Sequence, residues 1–94
     1  MSHAEIEKKI ITILQKHNAG KIGVFGSFAR GEERPESDID LVVTFKDRKS
    51  LLALIRIERE LSETLGRKVD LLTEESIHPY LADTIKSELK VLHQ

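Results

Sequence analysis

The chain has 94 residues, 39% of them hydrophobic and 33% charged, the composition of an ordinary soluble globular domain and not of a disordered chain. Its 15 basic and 16 acidic residues nearly cancel, so no overall field draws nucleic acid or an acidic membrane, and any phosphate must be held locally. With no cysteine, disulfides and thiolate metal sites are excluded. The opening MSHAEIEKKI is charged where a signal peptide would be apolar, and no apolar run is long enough to span a bilayer. A cytoplasmic protein folded as a single domain over residues 1–94 is the expectation.

Ser2 followed by Glu5 has capping-box spacing, and Ile6, Ile10, Ile13 and Leu14 recur at helical spacing. This predicts a helix from about His3 to His17, stopping at Asn18-Ala19-Gly20. KIGVF then reads as a short strand ending at Gly26, and SFAR opens a short helix directly after it. GEERPES, with Pro35 inside it, reads as a polar loop. DIDLVVTF is a strand, because its apolar run is too short for a helix and rich in β-branched residues. Asp47 is the preferred cap of a long helix, with Ser50 the second choice. Its inner face is expected to carry Leu51, Leu54, Ile55, Leu61 and Leu65, and Gly66 to stop it. KVDLLT is a third strand, and His78-Pro79 opens a helix into YLADTIKSEL. The tail KVLH fits a last edge strand better than a helix continuation. The order predicts an α/β sandwich with helices covering a small sheet.

Chemistry gathers around Asp38-Ile39-Asp40. Side chains alternate along a strand, so both aspartates are expected on one face, where they repel each other unless a cation intervenes. Oxygen-only ligands favour Mg²⁺ or Mn²⁺ over zinc. Asp70, near the start of the third strand, would join the same edge if the second and third strands are neighbours. Three carboxylates there could support a two-metal site. Gly26-Ser27, leading from strand into helix, would expose backbone N–H groups to phosphate, with Arg30 one turn on within reach of a phosphate oxygen. Singly, each piece has a plainer use as turn, cap, strand residue or surface cation. Glu32, Glu33, Arg34 and Glu36 read as a solvated loop, and none of the four histidines is given a catalytic role.

Together the pieces form a pattern. GSFARGEERPESDIDLVV resembles the signature of the DNA polymerase beta-type nucleotidyltransferase superfamily: Gly-Ser, a spacer, then Asp-x-Asp on the next strand. The Ala-Arg-Gly after Phe28 and the Ser-Asp-Ile-Asp-Leu form resemble its minimal nucleotidyltransferase branch, over essentially the whole chain. The resemblance implies an α/β (α+β) fold with a small mixed sheet flanked by helices, and transfer of a nucleoside monophosphate from a triphosphate such as ATP. It implies that Gly26 and Ser27 hold the β- and γ-phosphates, that Asp38 and Asp40 bind two Mg²⁺ ions, and that Asp70 completes the triad. Arg30 matches the motif, with phosphate contact and loop bracing both open.

Minimal nucleotidyltransferases similar to this one are paired with a HEPN-domain protein, as antitoxin and toxin, and some transfer AMP to the toxin. The resemblance therefore implies a Mg²⁺-dependent protein adenylyltransferase with a HEPN partner. Two alternatives are a non-catalytic antitoxin acting by contact, and a nucleotidyltransferase for a small molecule such as an aminoglycoside or for RNA. Phe25, Phe28 and Phe45 fall where core packing explains them, so no base-stacking or nucleic-acid surface is visible. The first helix and the helix from Tyr80 could dock a partner, although core packing is the expected use of both.

Overall fold

A computed structural model describes residues 1–32, 34 and 36–94. The order of elements is α1 (His3–Lys16), β1 (Ala19–Phe25), α2 (Gly26–Arg30), β2 (Ile39–Phe45), α3 (Leu51–Leu65) and β3 (Val69–Thr73). A 3₁₀ turn (Glu74–Ser76), α4 (Pro79–Glu88) and β4 (Lys90–His93) complete it. The α+β class, the strand at KVLH and the helix opening at Pro79 all agree with the expectation. The prolyl loop prediction at Pro35 and the solvated-loop reading of Glu33 lie outside the described residues.

Local chemistry sets the helix ends. Ser2 Oγ accepts the Glu5 N–H (3.1 Å) and Ser50 Oγ accepts the Ala53 N–H (3.1 Å), each satisfying a donor that lacks an intrahelical partner. Ser50 thus caps α3, and the preference for Asp47 is corrected: Asp47 instead faces Lys49 at 3.0 Å. Gly66 ends α3 in the left-handed conformation. His78 Nδ1 accepts the Tyr80 N–H (3.2 Å), with Pro79 at the first helical position, where its missing N–H costs nothing.

The four strands lie in the order β3-β2-β1-β4. β1 runs antiparallel to both β2 and β4, while β2 and β3 are parallel, so α3 is the crossover their pairing demands. One face of the sheet carries Ile22, Val24, Ile39, Leu41, Val43 and Val69, all buried against α1 and α3. α1 contributes Ile6, Ile10, Ile13 and Leu14, as expected. α3 contributes Ile57, Leu61 and Leu65. Leu51 and Ile55, expected on that inner face, are exposed, and Leu54 is half-buried. Ile55 is about 200° around the helix from Ile57, so the two cannot share a face. From α4 only Ile85 is buried; Tyr80 and Leu81 are exposed, so core packing does not account for them.

The opposite face of the sheet carries Asp40, Val42 and Thr44 along β2. α4 closes onto it where Leu89 sits over Gly23: a Cβ at Gly23 would lie 2.6 Å from Leu89 Cδ1. Gly23→Ala is therefore expected to make the Leu89 side chain shift aside, at the low end of overpacking costs, about 1 kcal/mol. Urea denaturation checks this, and truncating Leu89 in the same chain should recover part of the loss.

Candidate active site

The parallel register of β2 and β3 sets Asp40 directly beside Asp70. Each strand alternates, so burying Ile39, Leu41 and Val43 turns Asp40 to the other face, and burying Val69 does the same for Asp70. The two carboxyl groups therefore share one face of the sheet on adjacent strands. Burial first, then the charge and hydrogen bond of Asp70, then the charge of Asp38, push the Asp40 carboxyl up to about 6. The register sets Asp40 beside Asp70, and the charge of Asp38 also reaches Asp40. Asp38 lies one residue before β2, with Oδ2 3.7 Å from Lys68 Nζ. Among the described residues no three acidic or histidine side chains close around one point.

Gly26 closes the site from the end of β1. Its φ of +72° is one that only glycine adopts without strain, and a Cβ there would lie 2.6 Å from Asp40 Oδ2. The turn thus brings backbone into contact with the carboxylate, on two grounds that both require glycine. Ser27 follows in the first turn of α2. That helix has Phe25 as its N-cap and no side-chain cap hydrogen bond, so its leading N–H groups have no side-chain acceptor. Arg30, at the other end of α2, donates from Nε to Glu32 Oε2 (3.1 Å) and from Nη1 to Glu88 Oε1 (2.8 Å). These bonds tie the end of α2 to the end of α4.

Two residues with a structural hold on the site carry no sequence signal. Arg67 Nη2 donates to the carbonyls of Arg34 (3.0 Å) and Ser37 (2.9 Å), and Nε donates to Ser37 as well (3.3 Å). It pins the loop that delivers Asp38, while the Ile39 N–H donates to the Lys68 carbonyl (3.0 Å). Glu88 is the other, and its charge adds to the upward shift at Asp40. In the sequence both look like ordinary surface charges, because only the fold brings them near. The histidines have structural contacts: His17 bonds Glu60, His78 caps α4, His93 bonds Gln15 and His3 stacks on Phe28 of α2.

Paired carboxylates on adjacent strands, faced by a glycine turn at a helix start, make a centre that can bind a phosphate chain and a hard cation together. The chain matches the nucleotidyltransferase domain family over residues 7–92, and it belongs to that family. It is an enzyme of the nucleotidyltransferase class. A Methanocaldococcus jannaschii protein assigned as a protein adenylyltransferase is 51% identical over 88 residues, 94% of this chain and 95% of that relative. Among solved structures, a chain in a toxin-antitoxin crystal structure with AMP-PNP is similar at a TM-score of 0.83 and 30% identity, covering 92% of this chain and 71% of that one. A chain in the complex of tri-AMPylated Shewanella oneidensis HEPN toxin with MNT antitoxin gives 0.80 and 26%, covering 97% and 71%.

The raised Asp40 carboxyl has a measurable sign. Between its ordinary value of 3.8 and about 6, the unfolded chain has released this proton while the native chain still holds it. The native state binds more protons in that window, so this group's contribution to stability falls as pH rises through it. In chelator-treated protein, the stability gained by Asp40→Asn over the wild type is expected to grow from pH 4 to about pH 6 and then level off. Urea titrations across that range check it; a gain independent of pH would contradict the shift.

Proposed function

We propose that this chain transfers AMP from ATP to a hydroxyl group of a protein partner, and that the partner is a HEPN toxin which the transfer silences. The single observation that carries the reading is Asp40 beside Asp70 under the Gly26 turn, because that geometry sets carboxylates and phosphate-binding backbone against each other. The relatives named as protein adenylyltransferases, and the complex of tri-AMPylated HEPN toxin with MNT antitoxin, support the choice of acceptor. No helix among the described residues is long and apolar enough to cross a membrane.

Each residue has a role. The N–H groups of Gly26 and Ser27, at the uncapped start of α2, receive the β- and γ-phosphates, and the Ser27 hydroxyl adds a donor. Arg30 neutralises phosphate charge from the far end of the same turn. Asp38, Asp40 and Asp70 offer only oxygen donors, and the strained like-charge pair is a set that suits a hard divalent ion. Mg²⁺, when held by these three, supplies charge neutralisation for the triphosphate and the attacking hydroxyl. Asp70 takes the proton of that hydroxyl as its oxygen bonds to the α-phosphorus. The bond from the α-phosphorus to the bridging oxygen breaks, and pyrophosphate leaves.

The test is to co-express the chain with its candidate partner and read the partner's mass together with its activity. The wild type is expected to add AMP and silence the partner. Asp40→Asn should fold yet lose about a hundredfold or more of the transfer rate, because positioning and charge neutralisation are what the protein supplies. Ser27→Ala should be milder, since the backbone donors survive. If Asp40→Asn folds, adds no AMP and still silences the partner fully, contact and not catalysis is the mechanism.

Metal binding has its own readout. Because a ligand specific to the native state stabilises it, Mg²⁺ at a hundredfold excess over its Kd should add about 2.7 kcal/mol. The melting temperature should rise with Mg²⁺ or Mn²⁺ in the wild type and much less in Asp38→Asn. Equal rises in the two proteins would count against a site at Asp38.

A further inference from the structure

Glu88 is badly placed for a bystander. It adds a fourth carboxylate to the negative field at Asp40, and it would repel a triphosphate as well as the aspartates. What it engages is Arg30, whose Nη1 donates to Glu88 Oε1 at 2.8 Å. The second partner of Arg30, Glu32, lies two residues along the same segment and is more exposed, 66% against 34% for Glu88. Glu32 can travel with Arg30; Glu88 cannot.

The anchoring of Glu88 comes from its neighbours. Leu89 occupies the space left by the missing side chain of Gly23, and Lys90 pairs with Val24 as β4 begins. The Glu88 backbone is therefore tied to the strand that ends in the Gly26 turn. Arg30 stands on a helix of only five residues, and its long side chain would otherwise sample many rotamers.

We propose that Glu88 is a positioning residue for nucleotide binding: anchored at the end of α4, it holds in place the guanidinium of Arg30, the last residue of the short helix that the Gly26-Ser27 turn opens. The guanidinium has five N–H groups, so those not donated to Glu32 and Glu88 remain for phosphate oxygens. Preorganisation of this kind strengthens binding by reducing what must be ordered when ligand arrives. This rests on the reading of Arg30 as a phosphate-binding residue given above.

Position and charge pull in opposite directions, which makes the test sharp. If Glu88 were only a nearby negative charge, removing it would tighten ATP binding by relieving repulsion. Calorimetric titration with Mg²⁺ and ATP needs no acceptor protein and separates the cases. Glu88→Ala is expected to raise the Kd roughly three- to thirtyfold, the range set by the rotamer freedom of one arginine. Glu88→Gln, which keeps an oxygen acceptor, should recover much of the loss. In an Arg30→Ala background, Glu88→Ala should cause no further loss, since the residue it positions is gone and only the relief of its charge remains; a general structural defect would persist there. Should Glu88→Ala misfold, Glu88→Gln carries the same cycle with a smaller expected change. Unchanged or tighter binding in Glu88→Ala, or an equal loss with and without Arg30, would overturn the inference while leaving the nucleotide site standing. A wild type that binds no ATP would overturn both.

Discussion

The contact between Asp40 and Asp70 is the constraint on which the rest depends. Two carboxyl groups do not settle side by side of their own accord, and here the hydrophobic core forces them together. Ile39, Leu41 and Val43 must face α1 and α3, and Val69 must do the same on the neighbouring strand. A slip of β3 by one residue would turn Asp70 into that core and expose an apolar side chain in its place. The register that buries the apolar residues is therefore the register that opposes the aspartates. Part of the cost is relieved by a proton retained well above the usual carboxylate range. The remainder is a standing affinity for positive charge.

The surrounding structure stiffens this arrangement with three different kinds of interaction. Arg67 uses charged donors to bind backbone carbonyls of the loop before Asp38. Leu89 uses shape, filling the side of Gly23 so that α4 lies against the sheet. Gly26 uses the absence of a side chain, letting the chain reverse within contact of Asp40. Only the last of these belongs to the signature stretch. The other two come from the second half of the chain, so the centre assembles only when the whole sheet has formed.

That division explains what could be read from the sequence. Gly26, Ser27, Asp38 and Asp40 lie in one short stretch whose strand, turn and loop signals are local, and Asp70 opens an apolar strand. Their grouping needed only the assumption that β2 and β3 are neighbours. The face of α3 was harder to assign, because Leu51-Leu52-Ala53-Leu54-Ile55 is apolar on every side and gives no period. Ile57, Leu61 and Leu65, four residues apart, fix the buried side, and Leu51 comes a turn before the helix reaches the core. Arg67 and Glu88 were illegible for a different reason: their partners are about thirty and sixty positions away, and nothing local marks a charge that will find them.

β3 is an edge strand, and its outward N–H groups would be open to any passing chain. α3 closes them with side chains: Ser62 Oγ accepts the Val69 N–H (3.1 Å) and Glu58 Oε2 accepts the Leu71 N–H (2.8 Å). Four residues of helix advance about 6 Å and two residues of strand about 6.6 Å, so the two ladders run in step like the scales of a vernier. The next coincidence falls at Leu54 and Thr73, where the helix brings hydrocarbon and no acceptor. The seal ends there. A groove lined by Leu51, Leu54, Ile55 and Thr73 lies over that end of the strand and reaches back to Glu58 and Leu71. Lateral strand addition is thus blocked along the part of β3 that carries Asp70 and left open only beyond it, at the Thr73 end of the strand.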